Sequence, residues 1–168
     1  MISKTGCNYT KCLVSLCIVC LWLLLASSAR SAEILSVGDV FPEFQARDQH
    51  DRNYVFEPGV RVVLIAFDMS PAKKANKFLA GQPADYLDRN QAVYVANIHG
   101  MPGIGRHFAL PKMKKYPHRI ILADAENLLS PFPSKEKRIT VIRLNEQAID
   151  YWDPALAPLD IAAANSSR

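Results

Sequence analysis

Past residue 20 the sequence has no cysteine: Cys7, Cys12, Cys17 and Cys20 are the only four. A chain so arranged is not a small disulfide-stapled protein, whose bridges would be spread through the fold. Long apolar runs are equally scarce. One extends from Cys12 to Ala26, short of the roughly 20 residues that span a bilayer comfortably. No second run follows, which excludes a polytopic membrane protein. Neither sign of charge prevails: 20 Lys and Arg stand against 16 Asp and Glu, and 49% of residues are hydrophobic. That balance excludes a disordered tail and a strongly basic nucleic-acid binder. What is present is 168 residues, room for one domain and little more.

Lys4 and Lys11 precede the apolar run and small residues follow it, the order of a secretory signal, expected over residues 1–29. Ser27 and Ala29 occupy the two positions that need small side chains before the cut, whereas a cut after Ala32 would place Arg30 at one of them. Retention as an anchor helix is the alternative. Cys17 and Cys20 have C-x-x-C spacing but lie within the run, and neither has the context of a lipid-modified cysteine. Cleavage removes two of the 20 basic residues and none of the 16 acids, taking the net charge from +4 to +2 and every cysteine with it. The exported chain then cannot exchange thiols or form a disulfide, and rests on its apolar core. We expect a periplasmic or secreted protein that meets the membrane only through its signal. Asn165-Ser-Ser167 would be a glycosylation acceptor in a host that secretes through an endoplasmic reticulum.

No repeat, linker or composition break divides residues 33–165, which are expected to form one α/β domain. Asp48–Asn53 is a polar turn between Phe44 and Tyr54-Val-Phe56, giving a small hairpin. Arg61–Asp68 is a continuous, β-branched apolar run, the pattern of a strand covered on both faces. Ser70 as cap, Pro71 as first residue and Gly81 as stop predict a helix from Pro71 to Ala80. A short turn of helix is expected over Pro83–Arg89, a strand over Gln91–Ile98, and a helix over Met101–Tyr116 that Pro111 breaks near Leu110. Arg119–Asp124 reads as a strand, Ala125–Leu129 as a helical turn, and Ser130–Pro133 as a loop. Ile139–Leu144 and Ala148–Trp152 flank a turn at Asn145–Gln147, an antiparallel hairpin, before a final helix near Pro154–Ala164. This order implies a mixed sheet with helices on both faces.

The motifs Val37-Gly-Asp-Val-Phe-Pro-Glu-Phe44, Asp48-Gln49, the strand Arg61–Phe67 leading into a helix, and the closing hairpin Ile139–Trp152 make the chain resemble the thioredoxin-like superfamily, in particular its secreted peroxiredoxin-type members. The likeness covers most of residues 36–155. It implies a thioredoxin-like sheet. It also implies a catalytic cysteine just after the first central strand, where a helix N-terminus favours the thiolate. This sequence has Asp68-Met-Ser-Pro-Ala-Lys-Lys74 there, and Lys137-Arg138-Ile139 where the family places a cis-proline before the hairpin. The scaffold is thus expected without the thiol chemistry: a redox-silent binding or accessory module. The competing class is an enzyme, either an oxidoreductase with a bound flavin or metal or a peroxide-handling protein that uses no thiol. Asp68, Ser70 and Lys73 are the residues such catalysis would use, because they stand at the carboxyl end of a central strand.

Ser70, Lys73 and Lys74, with Lys77, cluster around the start of the first helix, where positive charge and free amides would attract an anionic group of a ligand or partner; the bland alternative is a solvated polar face. His99, His107, His118 and Asp124 would suit zinc if their loops converged, although their spacings match no local metal motif. Gly100-Met-Pro-Gly-Ile-Gly105 has its glycines in the reverse of dinucleotide-loop spacing and reads as a tight turn. No cofactor is therefore expected, with flavin and zinc as the alternatives. Lys112-Met-Lys-Lys-Tyr-Pro-His-Arg119 reads as a solvated helix end rather than a nucleic-acid contact. An envelope protein or a small anionic ligand is the expected partner.

Overall fold

A computed structural model describes residues 34–161. The expected signal over 1–29 and the Asn165 sequon lie outside the described residues. Seven strands form one sheet: β1 (Gln45–Asp48), β2 (Asn53–Val55), β3 (Val62–Ala66), β4 (Ala92–Asn97), β5 (Ile121–Ala123), β6 (Ile139–Arg143) and β7 (Ala148–Trp152). Three helices accompany them: α1 (Met69–Ala80), α2 (Tyr86–Arg89) and α3 (Gly103–Met113). The strand order is β2-β1-β5-β4-β3-β6-β7, with β3, β4 and β5 parallel and the other pairings antiparallel. This is a mixed α/β sheet with helices, consistent with the thioredoxin-like fold that the resemblance implies.

The central strands are apolar throughout because both of their faces are covered. Alternation along β3 sends Val62, Leu64 and Ala66 into one cluster and Val63 and Ile65 into another. In β4, Ala92, Tyr94 and Ala96 join the first cluster and Val95 the second. The chain steps from β3 to β4 to β5 in one direction across the sheet, and crossovers of constant hand place α1 and α3 on the same face. Ala75 and Leu79 of α1, Leu87 of α2 and Met113 of α3 all pack on that first cluster.

Helices were expected on both faces, but the described helices serve one. The second face is closed by the irregular lead-in, the β1–β2 hairpin and the connection before β6. Their aromatic rings carry that side: Phe41 lies 4.7 Å from Phe56 and 5.2 Å from Phe132, and Phe44 lies 5.7 Å from Phe56. Each such ring contributes about 2 kcal/mol by burial, so a loop with enough aromatics can do a helix's work here.

Four local expectations change. The α1 helix begins at Met69, with Asp68 extended at its cap and the Asp68 carbonyl accepting the Ala72 N–H at 3.1 Å. Ser70 is therefore inside the first turn and is not the cap. Pro111 does not break α3, which runs on to Met113. Pro111 and His107, whose carbonyl loses its helical donor there, are both exposed, so water can replace the missing bond. Ala125–Leu129 forms non-helical turns. The segment from Pro154 to Ile161 is also non-helical: Pro158 has no N–H for a helix, and Trp152 Nε1 instead donates to the Ala157 carbonyl at 2.8 Å. Residues 162–164 of that expected helix lie outside the described residues.

Candidate functional site

At the carboxyl end of β4, α1 and α3 diverge and leave a groove of about 90 Å3 between them. Open α/β sheets bind ligands at the carboxyl ends of their parallel strands because the following loops and helix starts gather there. The groove floor is Ala96 and Asn97 of β4, and Tyr116 closes one end. Its walls carry Met69 from α1, Met101 from the turn before α3, and Met113 from α3. These are the only methionines after Met1, so every thioether of the described chain lines one surface. Met101 packs closely over Gly105, where a Cβ would approach its Cγ to 3.2 Å.

Polar atoms on these walls are mainly donors. Lys73 enters from α1 and Lys112 from α3, both exposed at the rim. Asn76 lies deeper, 4% exposed, and its Oδ1 accepts the His118 Nε2–H at 2.9 Å. That bond fixes the amide and leaves Asn76 Nδ2 without a protein acceptor among the described residues. Asn97 is already engaged: its Oδ1 accepts the His99 N–H at 3.0 Å, and its Nδ2 donates to the Phe67 carbonyl at 3.4 Å.

His118 is 3% exposed, and its Tyr116 neighbour stacks at 5.3 Å between ring centroids. Its Nδ1 has no partner among the described residues. Burial without a counter-charge pushes its pKa down to about 4, so at neutral pH the ring is an uncharged support for Asn76.

Of the residues expected to take an anion, Lys73 lines the groove, whereas Ser70 and Lys74 are exposed on α1 and are not among its walls. Asp68 is exposed at the start of α1 and accepts the Lys137 backbone N–H at 3.4 Å. Lys137 has a φ of 58°, and through this bond the segment before β6 reaches the residue that precedes α1.

The histidines do not converge. His118 is spent on Asn76, and His107 lies exposed with its ring 5.5 Å from Phe108. His99 Nδ1 meets the Asp124 backbone carbonyl at 2.9 Å, while the Asp124 carboxylate is held by Arg106, with Nη1 at 2.7 Å from Oδ2. That hydrogen bond from Arg106 holds the Asp124 carboxyl below its usual range, outweighing its partial burial. Among the described residues no three His, Cys, Asp or Glu side chains form a group that could hold a metal. In the expected glycine turn, Gly100 has a φ of 72°, but Gly103 and Gly105 open α3. Within the basic stretch, Lys114 pairs with Asp51 at 3.7 Å and Arg119 with Asp48 at 3.2 Å. Among the described residues no helix is long and apolar enough to cross a membrane.

Sequence reasoning missed the groove. Met69 and Asn76 come from α1, Met101 and Met113 from the turn before α3 and from α3, and the two sets meet only through the parallel crossovers; the one local signal was the lysine pair Lys73–Lys74 between Ala72 and Asn76.

No protein-family model matches the chain, and no curated protein matches it. Among solved structures it is similar to the thioredoxin domain of a thiol-disulfide oxidoreductase from Bacteroides vulgatus, with 16% identity and a TM-score of 0.42 over 70% of this chain and 87% of that one. A peroxiredoxin-like protein from Aquifex aeolicus gives 11% identity and a TM-score of 0.46 over 80% and 87%. A SCO1/SenC family lipoprotein from Bacillus anthracis gives 10% identity and 0.47 over 81% and 95%. The fold is defined by the strand order itself.

Proposed function

We propose that this protein is an exported binding module on a thioredoxin-like scaffold, redox-silent at the turn where its superfamily carries a thiol, and that it captures an anionic group in the groove between α1 and α3. The observation that carries this reading is the donor set of the groove: Lys73, Lys112 and the spare amide of Asn76 face a surface with no carboxylate among its lining residues. Cationic and amide donors beside apolar walls favour an anion, because a charge-assisted bond is about twice as strong as a neutral one. The start of α1 supports the silent half of the reading, since Asp68, Met69 and Ser70 supply no thiol and residues 21–168 contain none.

The test is amide chemical-shift mapping with acetate as the probe. Perturbation centred on residues 72–76 and 109–113, and lost when Lys73 and Lys112 are both changed to Glu, supports the reading. Perturbation scattered over the lysines of the whole surface contradicts it.

A further inference from the structure

The character of the groove walls sets the kind of anion. Three thioether side chains, with Ala72 and Ala109 between them, make the walls apolar and adaptable, because methionine is unbranched and polarisable and packs against varied shapes. A compact, multiply charged anion would lose hydration over such walls and find only three donors in return. Thioethers alone would suit a soft monovalent metal. Here Lys73 and Lys112 stand on the same walls and oppose a cation, and neither thiolate nor imidazole lines the groove. A singly charged head on a short hydrocarbon body satisfies both halves of the surface.

Asn76 adds the directional element. Its side chain is almost wholly buried, its Oδ1 is occupied by His118, and its Nδ2 is left to donate. Turning that amide would move the His118 proton to Nδ1, a buried position with no acceptor among the described residues, so the bonded arrangement leaves Nδ2 for the groove. His118 is thus a positioning residue that makes this wall position on α1 a donor, suited to an oxygen acceptor.

We infer that the groove is a site for a short aliphatic monocarboxylate, its carboxylate on Asn76 Nδ2, Lys73 and Lys112 and its hydrocarbon chain along Met69, Met101 and Met113. This rests on the anion-binding reading above. A volume of about 90 Å3 is roughly that of three waters in the liquid, and a methylene is close to a water in size, so about three carbons fill the groove and the rest of a chain of about four to six carbons leaves through its open side.

The experiment titrates the purified protein with hexanoate, acetate, 1-hexanol and hexylamine by calorimetry and amide chemical shifts. The inference expects hexanoate to bind at least about tenfold more tightly than any of the other three. The exposed pair Lys73→Glu and Lys112→Glu should weaken hexanoate by at least about tenfold with the melting temperature kept. Asn76→Asp should abolish hexanoate binding, and a melting curve shows whether that variant is folded; if it is not, the lysine pair decides. Acetate binding as tightly as hexanoate overturns the hydrocarbon subsite and leaves the anion reading standing. Hexanol binding as tightly as hexanoate, with no effect of the lysine changes, overturns both.

Discussion

His118 donates its Nε2–H to Asn76 Oδ1 across 2.9 Å, tying the segment before β5 to the middle of α1 beneath the groove. The pair is buried, and burial is the one influence that disfavours the imidazolium form. Burial lowers the folded pKa to about 4 from 6.5, so between those values the unfolded chain binds a proton that the folded one refuses. The stability this group allows is complete above pH 6.5 and declines as pH falls toward 4, by about 3 kcal/mol at most. Urea denaturation at pH 7 and pH 4.5 measures it. The His118→Gln variant should lose that part of the slope; equal slopes in the two proteins contradict the account.

Asp48 is the other buried anchor. Burial alone would raise its pKa, but the backbone N–H groups of Arg52 and His50 and the Arg52 side chain outweigh it and hold the carboxyl below its usual range. Arg52 Nε lies 2.8 Å and Arg119 Nε 3.2 Å from Oδ2. Asp48→Asn keeps the shape but points an amide donor at guanidinium donors or backbone N–H groups. Chemical denaturation should show a loss of about 2–4 kcal/mol at pH 7. Because the folded pKa is depressed, the wild-type advantage is present above the ordinary carboxylate range and shrinks as pH falls through it. A variant within about 0.5 kcal/mol of wild type would show that the cluster contributes little.

Pro111 lies within α3, on its exposed side. Pro111→Ala restores an N–H able to reach the His107 carbonyl and removes the ring that crowds it. The helix should gain about 1 kcal/mol and the melting temperature should rise by a few degrees. A fall in melting temperature would mean that the proline ring is needed to seat Met113 against the core.

The parts of the fold that were legible in the sequence are those in which local pattern and tertiary demand agree. Arg61–Asp68 could be read because a strand buried on both faces must be apolar at every position, and β3 occupies its middle. The terminal hairpin could be read because Asn145–Gln147 interrupts two runs rich in β-branched and aromatic residues, and the turn takes Gln147 to a φ of 49°. Proline misled twice, in opposite directions. Pro111 sits in α3 at little apparent cost because water reaches the freed carbonyl, and Pro158 marks a segment that the buried Leu159 and Ile161 fix without a helix. The site was legible only in part. Lys73 could be singled out from its place after a central strand, but Asn76 and His118 are separated by 42 residues, and no local spacing announces that bond. The histidine cluster failed because Arg106 claims Asp124, a competition that spacing does not display.

The proposed function makes one central claim, that the protein is exported without its cysteines and that its remaining sulfur performs no turnover. The direct measurement expresses the full chain, recovers the exported product, and counts the peroxide it consumes with a dithiol present, after subtracting the buffer reaction. Each thioether takes one oxygen from peroxide as water leaves, and a dithiol alone does not reverse it. With Met69, Met101 and Met113 as the only sulfurs after residue 20, consumption should stop at three equivalents per chain, the half-exposed Met69 reacting first. Consumption that continues past three equivalents, in a product whose mass retains Cys17 and Cys20, would contradict the account.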